Sequence, residues 1–494
     1  MRSKVRIVLA VALAVVLALV VSASSLAQST TKQLSTNFTL VNFGSGTATG
    51  TISYIKQDGT PWGSESFSIP GNGGQGIFRQ YFPPGSAGNP NLSSGAGSVM
   101  VMSDQPLGAV VQIQARNQNP TSNGAYSGFS AGAPSFYVPL VAKNLTTASG
   151  TGNSQIVVQN TGGSPTTVQF QFIGGGSTYT YTSPSIANGA SFTCDLTTTC
   201  GTSAGVPNNW VGSAVVSATA SGGTVAVVSN FFTGDALQTF NAFSVTSPKT
   251  KWFVPLFTSR LPNSLSTPIT VQNLSGSTIA ANGIQVACTP DASATGFAPF
   301  TKTNSAPVNN NESFFLNPVT DTSIPTGFAG SCVITASANV VAFVQMRFVA
   351  TGEAAAYEAI PDGGTDTKVI VPLVAKRLSN GFSSVVTIQN LSNSTTANVT
   401  LTYTPSPEYI AGGGSAVPVT VNVNIPANAS VIQNHRLQSG VNAVTALPDG
   451  WFGTLTASSN TPINAFVQLT FLKSINPGLP GGDNFMAHNA FTQP

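Results

Sequence analysis

The chain has 494 residues, 41% of them hydrophobic and 7% charged, where an ordinary soluble domain carries about 25% charged residues. Its 18 Lys and Arg face 15 Asp and Glu, so there is no basic surface to meet phosphates, and nucleic-acid binding is excluded. Short alternating runs of Val, Ile and Phe, at that hydrophobic content, exclude a disordered chain.

The N-terminus reads MRSKVRIVLAVALAVVLALVVSASSLAQST. Arg2, Lys4 and Arg6 precede an apolar run from Ile7 to Val21, and Ser25 and Ala27 satisfy the small-residue rule of a cleavage site. This predicts a signal peptide over residues 1–27. An uncleaved membrane anchor is the competing reading, because the run approaches spanning length. Cleavage removes three basic residues and leaves 15 against 15, a net charge of zero. No later stretch is apolar for long enough to span a bilayer. The expected location is secreted, extracellular or at the cell surface. In an exported chain four cysteines are expected to pair. Pairing in sequence order, Cys194 with Cys200 and Cys288 with Cys332, keeps each bridge inside one unit and is preferred to the other two connectivities.

Four units follow. The first, residues 28–133, opens with NFTLVNFGSGTATGTISYI, two strands across a Gly/Ser turn with Phe38 and Leu40 on one side and Thr39 on the other. It continues with GSVMV from Gly97 and AVVQIQ from Ala109, and closes with AYSGF around Tyr126. The second, 134–250, runs from VPLVAKNL through IVVQN to GSAVV (Gly212), AVVSN (Ala226) and TFNAF around Phe240. The third, 251–367, repeats the order as VPLFTSRL, ITVQN, GSCVI (Gly330), AFVQM (Ala342) and AAYEAI around Tyr357. The fourth, 368–494, gives VPLVAKRLSNGFSSVVTIQN, GTLTA (Gly453), AFVQL (Ala465) and MAHNAF around His488. Asn42, Asn160, Asn273 and Asn390 end the same strand in each unit and are 118, 113 and 117 residues apart, a spacing that fits a whole small domain. Gly/Pro/Ser-rich linkers near 130–136, 244–251 and 361–368 mark the boundaries. The first unit lacks the VPL segment, so Gln28 to Ser35 take its place or an edge stays open.

Each unit shows seven or eight short segments with period-2 alternation and turns every 8–15 residues, and no capped 3.6-residue period, which predicts a two-sheet β-sandwich. Ile156 and Val158, Ile269 and Val271, and Val386 and Ile388 are expected in the core. The asparagine that follows is read as a structural turn residue, able to bond backbone two residues ahead and to adopt left-handed geometry. Pro139, Pro255 and Pro372 cannot donate to a ladder, so the VPL segment is expected as a first or edge strand. The pattern VPL…QN…GSxVV…AVV resembles the tandem immunoglobulin-like or fibronectin-type-III-like repeats of bacterial secreted and surface proteins. That resemblance implies an all-β protein of four β-sandwich domains in an elongated array, with extracellular duty and no defined ligand.

Catalytic patterns are few. GxSxG occurs around Ser130 and Ser203, but in Gly/Ser-rich turns and not on a strand-to-helix elbow. His435 and His488 are the two histidines; His435 is expected on an exposed loop and His488 on a strand. There is no His/Cys cluster for zinc, no P-loop and no dinucleotide fingerprint. Glu353, Glu358, Asp362 and Asp366, near the third joint, form the one acidic cluster with a chemistry suited to Ca²⁺, set against the plainer reading of a solvated linker. No cofactor and no enzymatic activity are expected. The reading is an exported structural or adhesive protein, associating with itself through strand edges or with other surface components. A carbohydrate-binding protein is the alternative, with a glycan held by loops or an aromatic face, although Trp62, Trp210, Trp252 and Trp451 are scattered.

Overall fold

The computed structural model describes residues 7–11, 34–80, 92–115, 119–147, 149–291, 294, 296–363 and 366–492. The protein is all-β, with antiparallel pairing in every named sheet and two five-residue helices, Thr199–Ser203 and Pro407–Ala411, among the described residues.

The fourth unit shows the plan. One sheet runs Val419–Ile425, Ala397–Pro405, Trp451–Ser459, Lys368–Lys376 and Phe491–Thr492. The other runs Ser430–Asn434, Phe382–Asn390, Ile463–Phe471 and Phe485–Asn489. Opening strands start the second to fourth units at Ser135, Lys249 and Lys368. Each pairs with the Gly-Ser or Gly-Thr landmark strand of its own unit. In the first unit Ile7–Val11 occupies that place, antiparallel to Gly97–Ser103; of Gln28 to Ser35, residues 28–33 lie outside the described residues. In the third unit a single 21-residue strand, Phe328–Phe348, runs through both sheets. In the second sheet Leu107–Gln114 pairs with Asn123–Ser127, and Ile463–Phe471 with Phe485–Asn489. The strand pairs Gly97–Ser103 and Leu107–Gln114, or Trp451–Ser459 and Ile463–Phe471, lie in opposite sheets.

The units do not form an elongated array. Each ends in a short closing strand: Asn123–Ser127, Ala236–Asn241, Ala354–Glu358 and Phe485–Asn489. The first touches the second, the second the third, the third the fourth, and the fourth returns to the first. The first and third also touch across the middle. Four units therefore close into a ring with the four closing strands at its centre. The physical cause is the closing strands themselves. They are edge strands carrying Ala, Leu, Phe, Met and Tyr, and an edge of that kind left in water would be a template for aggregation. Closing the ring buries all but the last residue of each.

Opening strands complete the packing. Those of the second, third and fourth units lie against the second sheet of the third, fourth and first units respectively. The second sheets are thus covered on both faces, and Phe382–Asn390 and Leu107–Gln114 are buried at every residue. One apolar core runs through the first three units and takes in Phe466, Phe485 and Ala487 of the fourth, while the rest of the fourth unit's apolar residues cluster with Ala125 of the first.

Candidate functional site: the central junction and its four joints

The asparagines that end the repeated strand are fully buried. Asn273 Nδ2 donates to Ser277 O (2.7 Å) and Val308 O (2.8 Å), and its Oδ1 accepts from Ser275 N–H at 3.0 Å. Asn42, Asn160 and Asn390 make the corresponding bonds, including the one to the residue two ahead. Each side chain therefore closes its own turn and ties it to a facing turn. Left-handed backbone lies in that facing turn, at Gly73, Gly189, Asn311 and Asn428.

That facing turn is where one unit meets the next. Ser98 of the first unit donates its hydroxyl to Gly189 O of the second. Ser213 of the second donates to Asn311 O of the third, and Ser331 of the third to Asn428 O of the fourth, at 2.7 Å. The same three carbonyls accept from Gln159 (3.2 Å), Gln272 (3.2 Å) and Gln389 (3.5 Å), the glutamines that precede the repeated asparagines. Gln389 also reaches Cys332 O of the third unit at 3.3 Å. The Gly-Ser and Gln-Asn landmarks of the sequence are thus the two halves of an inter-unit joint. The fourth joint, from the fourth unit back to the first, breaks the pattern. Val41 stands where the glutamine would be and Thr454 where the serine would be, and the buried Thr454 hydroxyl has no partner.

Two carboxyls sit in the central junction. Asp483 Oδ2 accepts from Leu237 N–H of the second unit at 2.9 Å, and its Oδ1 accepts from Ala354 N–H of the third at 3.3 Å and from Phe485 N–H at 3.1 Å. Its carbonyl accepts from Asn123 Nδ2 of the first unit at 2.5 Å. One aspartate therefore links all four units. Burial holds its carboxyl well above the usual carboxylate range, against the pull of those N–H donors. At the other end of the closing strands, Glu358 accepts from Asn241 N–H and, at 3.0 Å, from Asn489 Nδ2. Asn489 Nδ2 also donates to Glu358 O, and Asn241 Nδ2 to Ser127 O, both at 2.8 Å. Ser127, Asn241, Glu358 and Asn489 are the same position in the four closing strands. Burial pushes the Glu358 carboxyl up to about 7. Ring stacks add to the second and third joints: Phe240 on Phe343 at 4.5 Å and Tyr357 on Phe466 at 4.3 Å.

The candidate calcium ligands are not brought together. Glu353 precedes and Glu358 ends a five-residue strand, which sets them about 16 Å apart along it. Glu353 accepts from Asn484 N–H at 3.4 Å, Glu358 belongs to the junction, and Asp362 pairs with Lys251 at 3.6 Å. Among the described residues no group of three or more His, Cys, Asp or Glu could hold a metal. Nor is His435 on an exposed loop. It is fully buried with Nδ1 3.3 Å from Ser384 Oγ and Nε2 3.3 Å from Tyr403 OH, and burial pushes its pKa down to about 3. His488 lies on a strand and is buried. Cys194–Cys200 and Cys288–Cys332 are both disulfide-bonded, which fits an oxidising compartment. No helix among the described residues is long and apolar enough to cross a membrane.

No family model matches the chain, and no curated protein matches it. Among solved structures, a viral chemokine binding protein of rodent gammaherpesvirus Peru is 8% identical over 75% of this chain and 89% of that one, with a TM-score of 0.13. The native conformation of E. coli alpha-2-macroglobulin is 9% identical over 92% of this chain and 28% of that one, with a TM-score of 0.11. At those scores neither likeness carries an argument.

Proposed function

We propose that the chain is an exported, non-enzymatic structural or adhesive protein of the cell surface or extracellular matrix, a four-unit ring that presents uncharged strand edges to its surroundings. The observation that carries this reading is the state of two outer edges. Ser177–Thr182, STYTYT, and Val419–Ile425, VTVNVNI, are terminal strands of their sheets, with exposed alternate residues and no Lys, Asp, Glu or Pro. Soluble proteins normally blunt such edges with charge, proline or a covering segment, and strand addition to an open edge is a common mode of recognition. Beside the second edge Val417 is 71% exposed. The disulfides and the buried, hydrogen-bonded central junction suit a load-bearing extracellular part.

The test places a lysine on each edge, Thr180→Lys and Asn422→Lys. Both sites point outward, so the fold should survive. The parent is expected to assemble, or to coat a surface of its own copies, as concentration rises, and the double variant to stay monomeric by light scattering. A parent that remains monomeric and adheres to nothing would overturn the reading.

A further inference from the structure

We propose that the joint between the fourth and first units is exchangeable, and that the fourth unit of one copy takes the place of the fourth unit of a second, giving a swapped dimer. This rests on the joints and stands apart from the strand-edge reading above.

Three joints in the ring carry a covalent linker together with the serine and glutamine bonds. The seam between the fourth and first units has neither. Its charged contact is Arg79, which donates to both oxygens of Glu408 at 2.9 and 2.7 Å, with side chains 21% and 48% exposed, beside the buried packing of Phe485–Asn489 on Asn123–Ser127 and of Lys368–Lys376 on the second sheet of the first unit. A short backbone bridge adds Thr121 N–H to Gly481 O at 2.7 Å and Asp483 N–H to Thr121 O at 3.0 Å. Phe43 meets Phe491 at 5.7 Å. An exposed ion pair is a modest, salt-screened contribution even in bidentate geometry.

The fourth unit is also the natural piece to move. Most of its apolar residues form a cluster of their own, with Phe466, Phe485 and Ala487 reaching into the core that runs through the other three. Its tether to the third unit passes through Gly363 at φ +109°, a backbone region glycine adopts without strain. The seam joins two different surfaces, so it is heterologous. Within one chain it closes a ring, and between two chains the same contacts form twice in a reciprocal swap, a low-cost route to a dimer. The swapped and closed forms then share every joint and differ in the tether and in the effective concentration of the fourth unit.

Charge reversal tests this. Arg79→Glu alone and Glu408→Arg alone each place like charges across the seam. In a swapped heterodimer of the two variants both seams regain opposite charges, whereas a swapped homodimer regains none. After co-incubation under mildly destabilising conditions and return to buffer, native mass spectrometry should show roughly tenfold more heterodimer than either homodimer, about a factor of three per restored pair. Carrying both changes on one chain should restore the parent's behaviour. Unmixed monomers, or hetero- and homodimers in statistical proportion as edge pairing would give, overturn the proposal. A second measurement uses the parent alone. Exchange between isotope-labelled and unlabelled copies into a common dimer should speed up with added salt, which screens the exposed pair; exchange that is absent or indifferent to salt also overturns it.

Discussion

Glu358 lies where four units meet, and burial raises its carboxyl from 4.5 to about 7. Because the folded value is above the unfolded one, the folded state holds the proton more tightly. The stability this group contributes is full below about pH 4.5, falls as pH rises towards 7, and stays lost above. Glu358→Gln keeps an acceptor for Asn241 N–H and removes the charge. The variant is therefore expected to exceed the parent by about 2 kcal/mol at pH 8, discounted from about 1.4 per pH unit for residual solvent contact, and to show no gain at pH 4. Urea denaturation at the two pH values measures it, and a variant no more stable than the parent at pH 8 rules it out. Asn273→Ala strips donors from the buried carbonyls of Ser277 and Val308 and should lower the unfolding free energy by about 2–3 kcal/mol, again by denaturation. The recurrence of that asparagine was legible in the sequence, as was its bond two residues ahead. Its reach across to the facing turn was not, because the partner there is a carbonyl, which every residue has. The lysine of VPLVAK was equally silent. Lys376 Nζ donates to Val444 O at 2.6 Å and Leu447 O at 2.8 Å, a buried task that a sequence reading assigns to no lysine.

Single strands of the second sheets alternate Val or Ile with Thr, Ser or Gln, and that alternation reads as one face in water. The structure covers both faces. What could have signalled it is the absence of charge: in Phe382–Asn390 and Leu107–Gln114 the polar face is Ser, Thr and Gln without one Lys or Glu. Close approach of closing strands is the other feature invisible in one unit alone. A Cβ at Gly124 would lie 2.4 Å from Thr239 Oγ1 and 3.0 Å from Leu237 Cγ of the neighbouring unit. Gly124→Val should therefore push the first and second closing strands apart and destabilise the ring by about 1–3 kcal/mol. Its signature is faster hydrogen exchange in Asn123–Ser127 and Ala236–Asn241 together, and protection unchanged in both would contradict the junction. Cys288 and Cys332 face each other on neighbouring strands and lie 44 residues apart in the sequence. By the loop-entropy model, replacing both with Ala should destabilise the third unit by about 4 kcal/mol, less any compensation in the unfolded chain. Denaturation of the double variant checks this, and an effect below about 1 kcal/mol would mean that the strands alone hold that register.

Repeats of one unit imply that each copy meets its neighbours in the same way, and the sequence carried that repetition openly. Closure was not written in any unit, because it depends on the angle between successive units and on whether the last surface fits the first. The clue was a pair of departures, Val41 for glutamine and Thr454 for serine, both at the one joint the chain does not have to bridge covalently. A ring held at every joint by non-covalent contacts behaves differently from a row when its chain is cut. Linkers with few contacts open first, so limited proteolysis is expected to nick the stretch between Pro361 and Lys368 ahead of the strands. In a row, that cut frees the last unit at once. In the ring, the fourth unit remains held by Ser331 and Gln389 on one side and by Arg79 and the Thr121 bridge on the other. The nicked protein should therefore elute from gel filtration at the position of the intact ring and separate into two fragments under denaturing conditions. Raising the salt should release the fourth unit from the nicked ring sooner than low salt does, because the Arg79–Glu408 pair is the exposed, screened part of its hold. Fragments that part in native buffer as soon as the linker is cut would show that the four closing strands do not grip one another.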